Sequence, residues 1–87
     1  MAEAKLKVAV ISPDRTVYQG EGEQVVAPAW DGEIGILRGH APTLVLLGNG
    51  IVRVTNAGQD HRFRIEGGFM QVVDDVVTVL SEHAEPG

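Results

Sequence analysis

The sequence contains no cysteine, which excludes disulfides, thiolate metal sites and thiol nucleophiles. Aromatic residues are few: one Trp, one Tyr and two Phe, too few for a base- or sugar-stacking platform. Basic residues are scarce as well. Seven Lys and Arg stand against twelve Asp and Glu, a formal net charge of −5, so no basic face is available to neutralise phosphates and nucleic acid is not expected as a partner. No apolar run approaches the ~18 residues of a membrane span. The opening residues, Met1-Ala2-Glu3-Ala4-Lys5, have neither signal nor transit character. What these absences leave is a soluble, acidic module with room for one small domain, spanning 1–87. A chain of this size buries only a little over ~60% of its extended surface.

Val, Ile and Leu recur in runs of five to seven residues, and branched side chains favour a pleated surface. Lys5 to Ile11 puts Leu6, Val8 and Val10 on one face, and Ser12-Pro13-Asp14-Arg15 supplies turn chemistry. Thr16 to Gln19, Gln24 to Ala27 and Ile34 to Leu37 read as short strands, the last two joined by a turn at Trp30-Asp31-Gly32-Glu33 with an Asp-Gly signal. Thr43 to Leu47 is the most apolar segment and is closed by Gly48-Asn49-Gly50. Ile51 to Thr55 alternates, as does His61 to Glu66, where Phe63 and Ile65 face inward and Arg62, Arg64 and Glu66 outward. Gly67-Gly68 breaks that run, and Phe69 to Val73 and Val76 to Leu80 follow. Strands at this spacing with Gly-rich turns, and no sustained helical period, predict an all-β sandwich or flattened barrel. Ordered strands are expected over about 4–80, with 81–87 a tail outside the strand pattern.

Few residues form a chemical constellation. His40, His61 and His83 lie too far apart in sequence to resemble a metal motif. His61 and His83 read as surface residues. His40, in a Gly-His-Ala-Pro turn, is either bonded to nearby backbone or an interface residue. Glu21, Glu23, Asp31 and Glu33 sit on turns rather than in a cleft that could hold an acid–base pair. Ser12 and Ser81 lie in no nucleophile elbow, and no Gly-rich strand–loop–helix cradle is present. No catalytic residue, cofactor or metal is expected. Trp30 either folds back over its own sheet edge or stands out as an aromatic anchor.

The segment Asp31-Gly32-Glu33-Ile34-Gly35-Ile36-Leu37-Arg38-Gly39-His40-Ala41-Pro42 closely resembles the signature of the F-type ATP synthase epsilon subunit. Val10 to Arg15 with Val17 to Gly20, Gly50 to Val54, Glu66 to Val72 and Val76 to Leu80 resemble the rest of that family in order, so that the likeness covers roughly residues 4 to 85. One departure is Arg38, where the family usually has proline; Arg restores a backbone N–H and adds a charge.

The resemblance implies a ten-stranded β-sandwich and a non-catalytic role in the central stalk, or rotor. The expected partners are the gamma subunit and the polar loops of the c-ring, in support of coupling proton transport to ATP synthesis. It implies a peripheral place on the cytoplasmic face of the bacterial inner membrane, or an equivalent energy-coupling membrane, with membrane contact only through the complex. By the same resemblance Trp30, Asp31, Gly32 and Glu33 form the turn facing the c-ring. His40, Ala41 and Pro42, with Phe69, Met70 and Val72, line the gamma-facing side. Family members commonly add a C-terminal helical pair that can inhibit hydrolysis and sometimes binds ATP. This sequence stops where that pair would begin, so it is expected neither to bind nucleotide nor to inhibit. The alternative reading is a small β-sandwich module that binds a ligand or peptide.

Overall fold

Inward-facing alternation in the sequence becomes strand in the computed structural model, which describes residues 5–87. Eight strands run in chain order: β1 (Leu6–Ser12), β2 (Arg15–Gly22), β3 (Gln24–Ala29), β4 (Gly32–Leu37), β5 (Thr43–Asn56), β6 (Gln59–Val73), β7 (Val76–Leu80) and β8 (Ala84–Pro86). They are hydrogen-bonded in the order β2-β1-β7-β6-β5-β3-β4, with β8 also on β6. All pairings are antiparallel except β1 with β7. The all-β class read from the sequence is therefore observed, and the sheet does not close into a barrel. The start of the ordered region at residue 4 and the character of Met1–Ala4 lie outside the described residues.

Eight strands replace the expected ten because β5 and β6 each serve both layers. The two pair along their length, from Thr43↔Val72 to Asn56↔Gln59, with a gap in the register where Gly48 and Gly67 would meet. At that rung the inward parity flips in both strands. On β5 the inward positions change from Val45 and Leu47 to Val52 and Val54. On β6 they change from Phe63 and Ile65 to Met70 and Val72. The long hairpin thus passes from one layer into the other. β7 pairs with residues 69–73 of β6, whereas β8 pairs with residues 63–65, and β3 joins β5 chiefly at 53–55. One layer holds β2, β1, β7, residues 69–73 of β6 and residues 43–47 of β5; the other holds β4, β3, β8 and the halves of β5 and β6 beyond the bend. Gly68 makes the bend possible. Its φ of +117° suits only glycine, and a Cβ there would collide with the Leu80 carbonyl oxygen.

The core between the layers is Val-rich. Leu6, Val10, Val25, Ala27, Ile36, Val52, Val54, Ile65, Met70, Val72, Val77 and Val79 have no exposed surface at all. Each large aliphatic side chain buried this way contributes roughly 1.5–3 kcal/mol of transfer free energy. Tyr18 closes one edge by packing on His61 and Phe63, with ring centroids 5.3 and 5.2 Å apart. Buried Ser12 and Ser81 are satisfied. The Ser12 hydroxyl donates to Asp14 Oδ1 at 2.9 Å, and that of Ser81 to the His83 carbonyl at 2.8 Å.

Residues 81–87 are not a loose tail. The Ser81 N–H donates to the Ile11 carbonyl (3.0 Å), the Glu66 N–H to the His83 carbonyl (3.1 Å) and the Gly87 N–H to the Arg62 carbonyl (2.8 Å). Ala84 is buried and Glu85 points out. A three-residue edge strand needs only one inward residue, and Pro86 is tolerated at a sheet edge.

Candidate interaction surface

The outward positions of the two layers differ in kind. On the layer containing β7, Leu46 stands opposite Phe69, Phe69 opposite Leu80, and Leu80 opposite Ile11. The neighbouring row runs Leu44, Gln71, Thr78 and Ala9, and the next holds Val73, Val76 and Lys7. Leu44 is 70% exposed and Leu46 54%, and Phe69, Val73, Val76 and Leu80 are exposed too. Isolated surface leucines are ordinary, whereas apolar side chains grouped on one face make that face a candidate interaction site. A shallow groove of about 500 Å³, lined by Ile11, Pro13, Gly68, Phe69 and Leu80, continues this face at its edge.

The opposite outer face is charged. Arg53 stands opposite Arg62, and Arg64 lies between Ile51 and Glu85, while Asp60 pairs with Thr55. Arg62 reaches Asp60 at 4.0 Å, an exposed pair worth ~0–1 kcal/mol.

The turn at Trp30 borders the apolar face. Ala29 pairs with Gly32, so the two-residue loop is Trp30-Asp31, one residue earlier than the Asp31-Gly32 signal suggests. The Trp30 N–H donates to the Leu46 carbonyl (3.0 Å), and its side chain is 71% exposed. Of the two sequence readings, the outward aromatic is the one observed. Asp31, Gly32 and Glu33 are exposed beside it.

The Arg38–Pro42 connection borders the other end of the same face, about 14 Å away along the first half of β5. The half-buried His40 donates its N–H to the Leu37 carbonyl (3.2 Å), and its Nδ1, in the tautomer that carries the proton, donates to the Ala41 carbonyl (2.8 Å). The Thr43 hydroxyl donates to that same carbonyl at 2.8 Å. Ala41 and Pro42 are exposed. Phe69 points outward as the surface reading requires. Met70 and Val72 do not: both are fully buried in the core and line no surface. The parity flip at Gly67-Gly68 turns them inward. Leu44, Leu46, Val73, Val76 and Leu80 take the outward places, and sequence reasoning missed them. The available signal was that the outward partners of Gln71 and Thr78 in 69–73 and 76–80, and every residue of 44–47, are apolar.

The remaining titratable groups serve structure. Glu23 Oε1 accepts the Ala57 N–H (3.1 Å), and the exposed His83 and Glu85 side chains meet at 2.7 Å. Asp14 is held below the usual aspartate range, chiefly by the hydrogen bond from the Ser12 hydroxyl. Among the described residues no group of three or more His, Asp or Glu converges as a metal site would.

Comparison with known proteins gives the family and the fold. Residues 5–87 match the sequence family described as "ATP synthase, Delta/Epsilon chain, beta-sandwich domain". A protein of Synechococcus sp. named "ATP synthase epsilon chain" is 48% identical over 82 residues, covering 94% of this chain and 60% of its own length. One of Syntrophomonas wolfei with the same name is 43% identical over 88 residues, covering 100% of this chain and 64% of its own length. The chain thus spans about three fifths of these relatives. Among solved structures, a chain of the Euglena gracilis mitochondrial ATP synthase, determined with F1 and c-ring, superposes with a TM-score of 0.88 at 29% identity, covering 97% of this chain and 54% of that one. A chain of the Tetrahymena thermophila mitochondrial ATP synthase central stalk and c-ring shares the fold, with a TM-score of 0.78 at 16% identity over 99% of this chain and 69% of that one.

Proposed function

Because the chain belongs to the family of ATP synthase delta/epsilon β-sandwich domains, we propose that it is a non-catalytic part of the central stalk, clamped between the gamma subunit and the c-ring so that proton transport is coupled to ATP synthesis. The observation that carries this reading is the apolar outer face built on Leu44, Leu46, Phe69 and Leu80. A strand that is apolar on both sides belongs in a sheet covered on both sides. The core covers one side, and gamma covers the other. His40, Ala41 and Pro42 sit at one border of that face, and their small turn permits close approach.

The Trp30-Asp31-Gly32-Glu33 hairpin at the other border meets the polar loops of the c-ring. Its two exposed acids offer charge complementary to basic loop residues, which favours orientation and encounter more than affinity. No helix of the described residues is long and apolar enough to cross a membrane. As a stalk part, the chain reaches the membrane only through the complex, on the cytoplasmic face in a bacterium.

Co-expression with gamma tests the reading. A stalk subunit co-purifies with gamma in a defined 1:1 complex, whereas a free ligand- or peptide-binding module stays alone. Ala41→Glu brings an unpaired carboxylate to the border of the interface and weakens that complex while the melting temperature holds. Reversing both Asp31 and Glu33 to Lys leaves gamma binding intact and loosens attachment to the membrane sector. A folded Ala41→Glu chain with normal gamma binding would overturn the gamma assignment. Unchanged membrane attachment of the double Lys variant would overturn the c-ring assignment.

A further inference from the structure

The Arg38–Pro42 connection is shaped by its own hydrogen bonds but tied down by a residue far away in sequence. Asp75 lies in the two-residue turn between β6 and β7, where Val73 pairs with Val76. Both residues of that turn, Asp74 and Asp75, have positive φ, 48° and 62°, the geometry of a turn that usually takes Asn-Gly. Two adjacent acids in the left-handed region are a costly choice for making a turn alone. The carboxylate of Asp75 has another use. Its Oδ1 accepts the Gly39 N–H at 2.7 Å, and its Oδ2 lies 3.9 Å from Arg38 Nε. Its backbone carbonyl accepts the Lys7 N–H at 2.9 Å. One residue therefore joins the β4–β5 connection, the β6–β7 turn and the start of β1. The Arg38 contact is long and both side chains are substantially exposed, so the ion pair adds little. The short, charge-assisted bond to the Gly39 amide is the stronger tie.

We infer that Asp75 is a positioning residue that latches the Arg38–Pro42 loop at the border of the apolar face and holds it in the conformation presented to the gamma subunit. The second half of this statement rests on the docking role proposed above; the first does not. Glycine and asparagine both tolerate positive φ, so Asp75→Gly removes the acceptor and Asp75→Asn keeps one, and neither strains the turn. The direct readout is amide hydrogen exchange at Gly39 in the folded chain. Exchange is expected to rise about tenfold in Asp75→Gly and to stay within about threefold in Asp75→Asn. Gamma affinity, read in parallel, is expected to fall about five- to tenfold in Asp75→Gly and to recover in Asp75→Asn. A merely structural turn residue would change neither reading in this order. Unchanged Gly39 exchange in Asp75→Gly overturns the latch, as does an Asp75→Asn chain as impaired as Asp75→Gly. If the unaltered chain itself fails to bind gamma, the docking role falls, and Gly39 exchange alone still decides the latch.

Discussion

The two outer faces of this sandwich come from the same two long strands, yet one half of the β5–β6 hairpin turns Arg53, Arg62, Arg64 and Glu66 outward and the other turns Leu44, Leu46 and Phe69 outward. Both halves contribute inward residues to one core, so folding asks the same of each. The charged half has the apolar-in, polar-out alternation of a sheet with one face in water. The apolar half exceeds what the core requires. Exposed apolar side chains on a sheet invite association, and a partner that covers them is the simplest reason for keeping them. The proposed docking surface rests on the contrast between the halves rather than on any single residue.

The contrast can be broken from inside or outside. The largest loss of stability is expected from Gly68→Ala, which puts a Cβ into the Leu80 carbonyl at a φ of +117° and strains the rung where the hairpin changes layer. The cost is about 2–4 kcal/mol in chemical denaturation. Met70→Ala follows, at about 2–4 kcal/mol, because its side chain is fully buried; once folded, that variant should bind gamma normally. Phe69→Ala, one position away and pointing outward, should change stability by less than about 1 kcal/mol and gamma affinity by about 1–2 kcal/mol. A Phe69→Ala chain less stable than Met70→Ala would reverse the assigned parity. The smallest effect belongs to Asp14. Its folded-state pKa is depressed, so its contribution is present above the unfolded aspartate value and lost as pH falls through the folded one. Asp14→Asn should lower stability slightly at neutral pH and remove the acid-side loss that the unaltered chain shows below about pH 4, so that the two profiles converge in acid.

Much of the fold was legible where alternation was clean. Phe63 and Ile65 against Arg62 and Arg64, and Val52 and Val54 against Arg53 and Thr55, announce their faces without ambiguity. The run 44–47 carries no parity signal, because either register buries an aliphatic side chain, and in 69–73 Gln71 alone marks the outward side. The sequence reading sets Met70 and Val72 on the gamma-facing side with Phe69, although Gln71 between them marks the opposite parity, and it singles out neither Leu44 nor Leu46. The glycines at 48, 67 and 68 looked like strand ends. They are a bend through which pairing continues, and two expected breaks became two long strands. Strand β8 escaped because three residues are too few for a period. Asp75 escaped because its partner lies 36 residues away, and no local pattern reports a contact of that kind. The exposed Trp30, by contrast, stood out as an aromatic beside a hairpin signal.

The central claim is that the apolar face, and not the charged one, docks gamma. Exchanging side-chain class between the faces tests it most directly. Gamma affinity should be measured by calorimetry for Leu46→Arg and for Arg62→Leu, with the melting temperature of each chain recorded alongside. Leu46→Arg is expected to weaken binding by at least about 100-fold, since it buries an unpaired cation at the centre of the contact, while Arg62→Leu stays within about threefold of the unaltered chain. Normal gamma affinity in a folded Leu46→Arg chain, or a large loss confined to Arg62→Leu, would contradict the account.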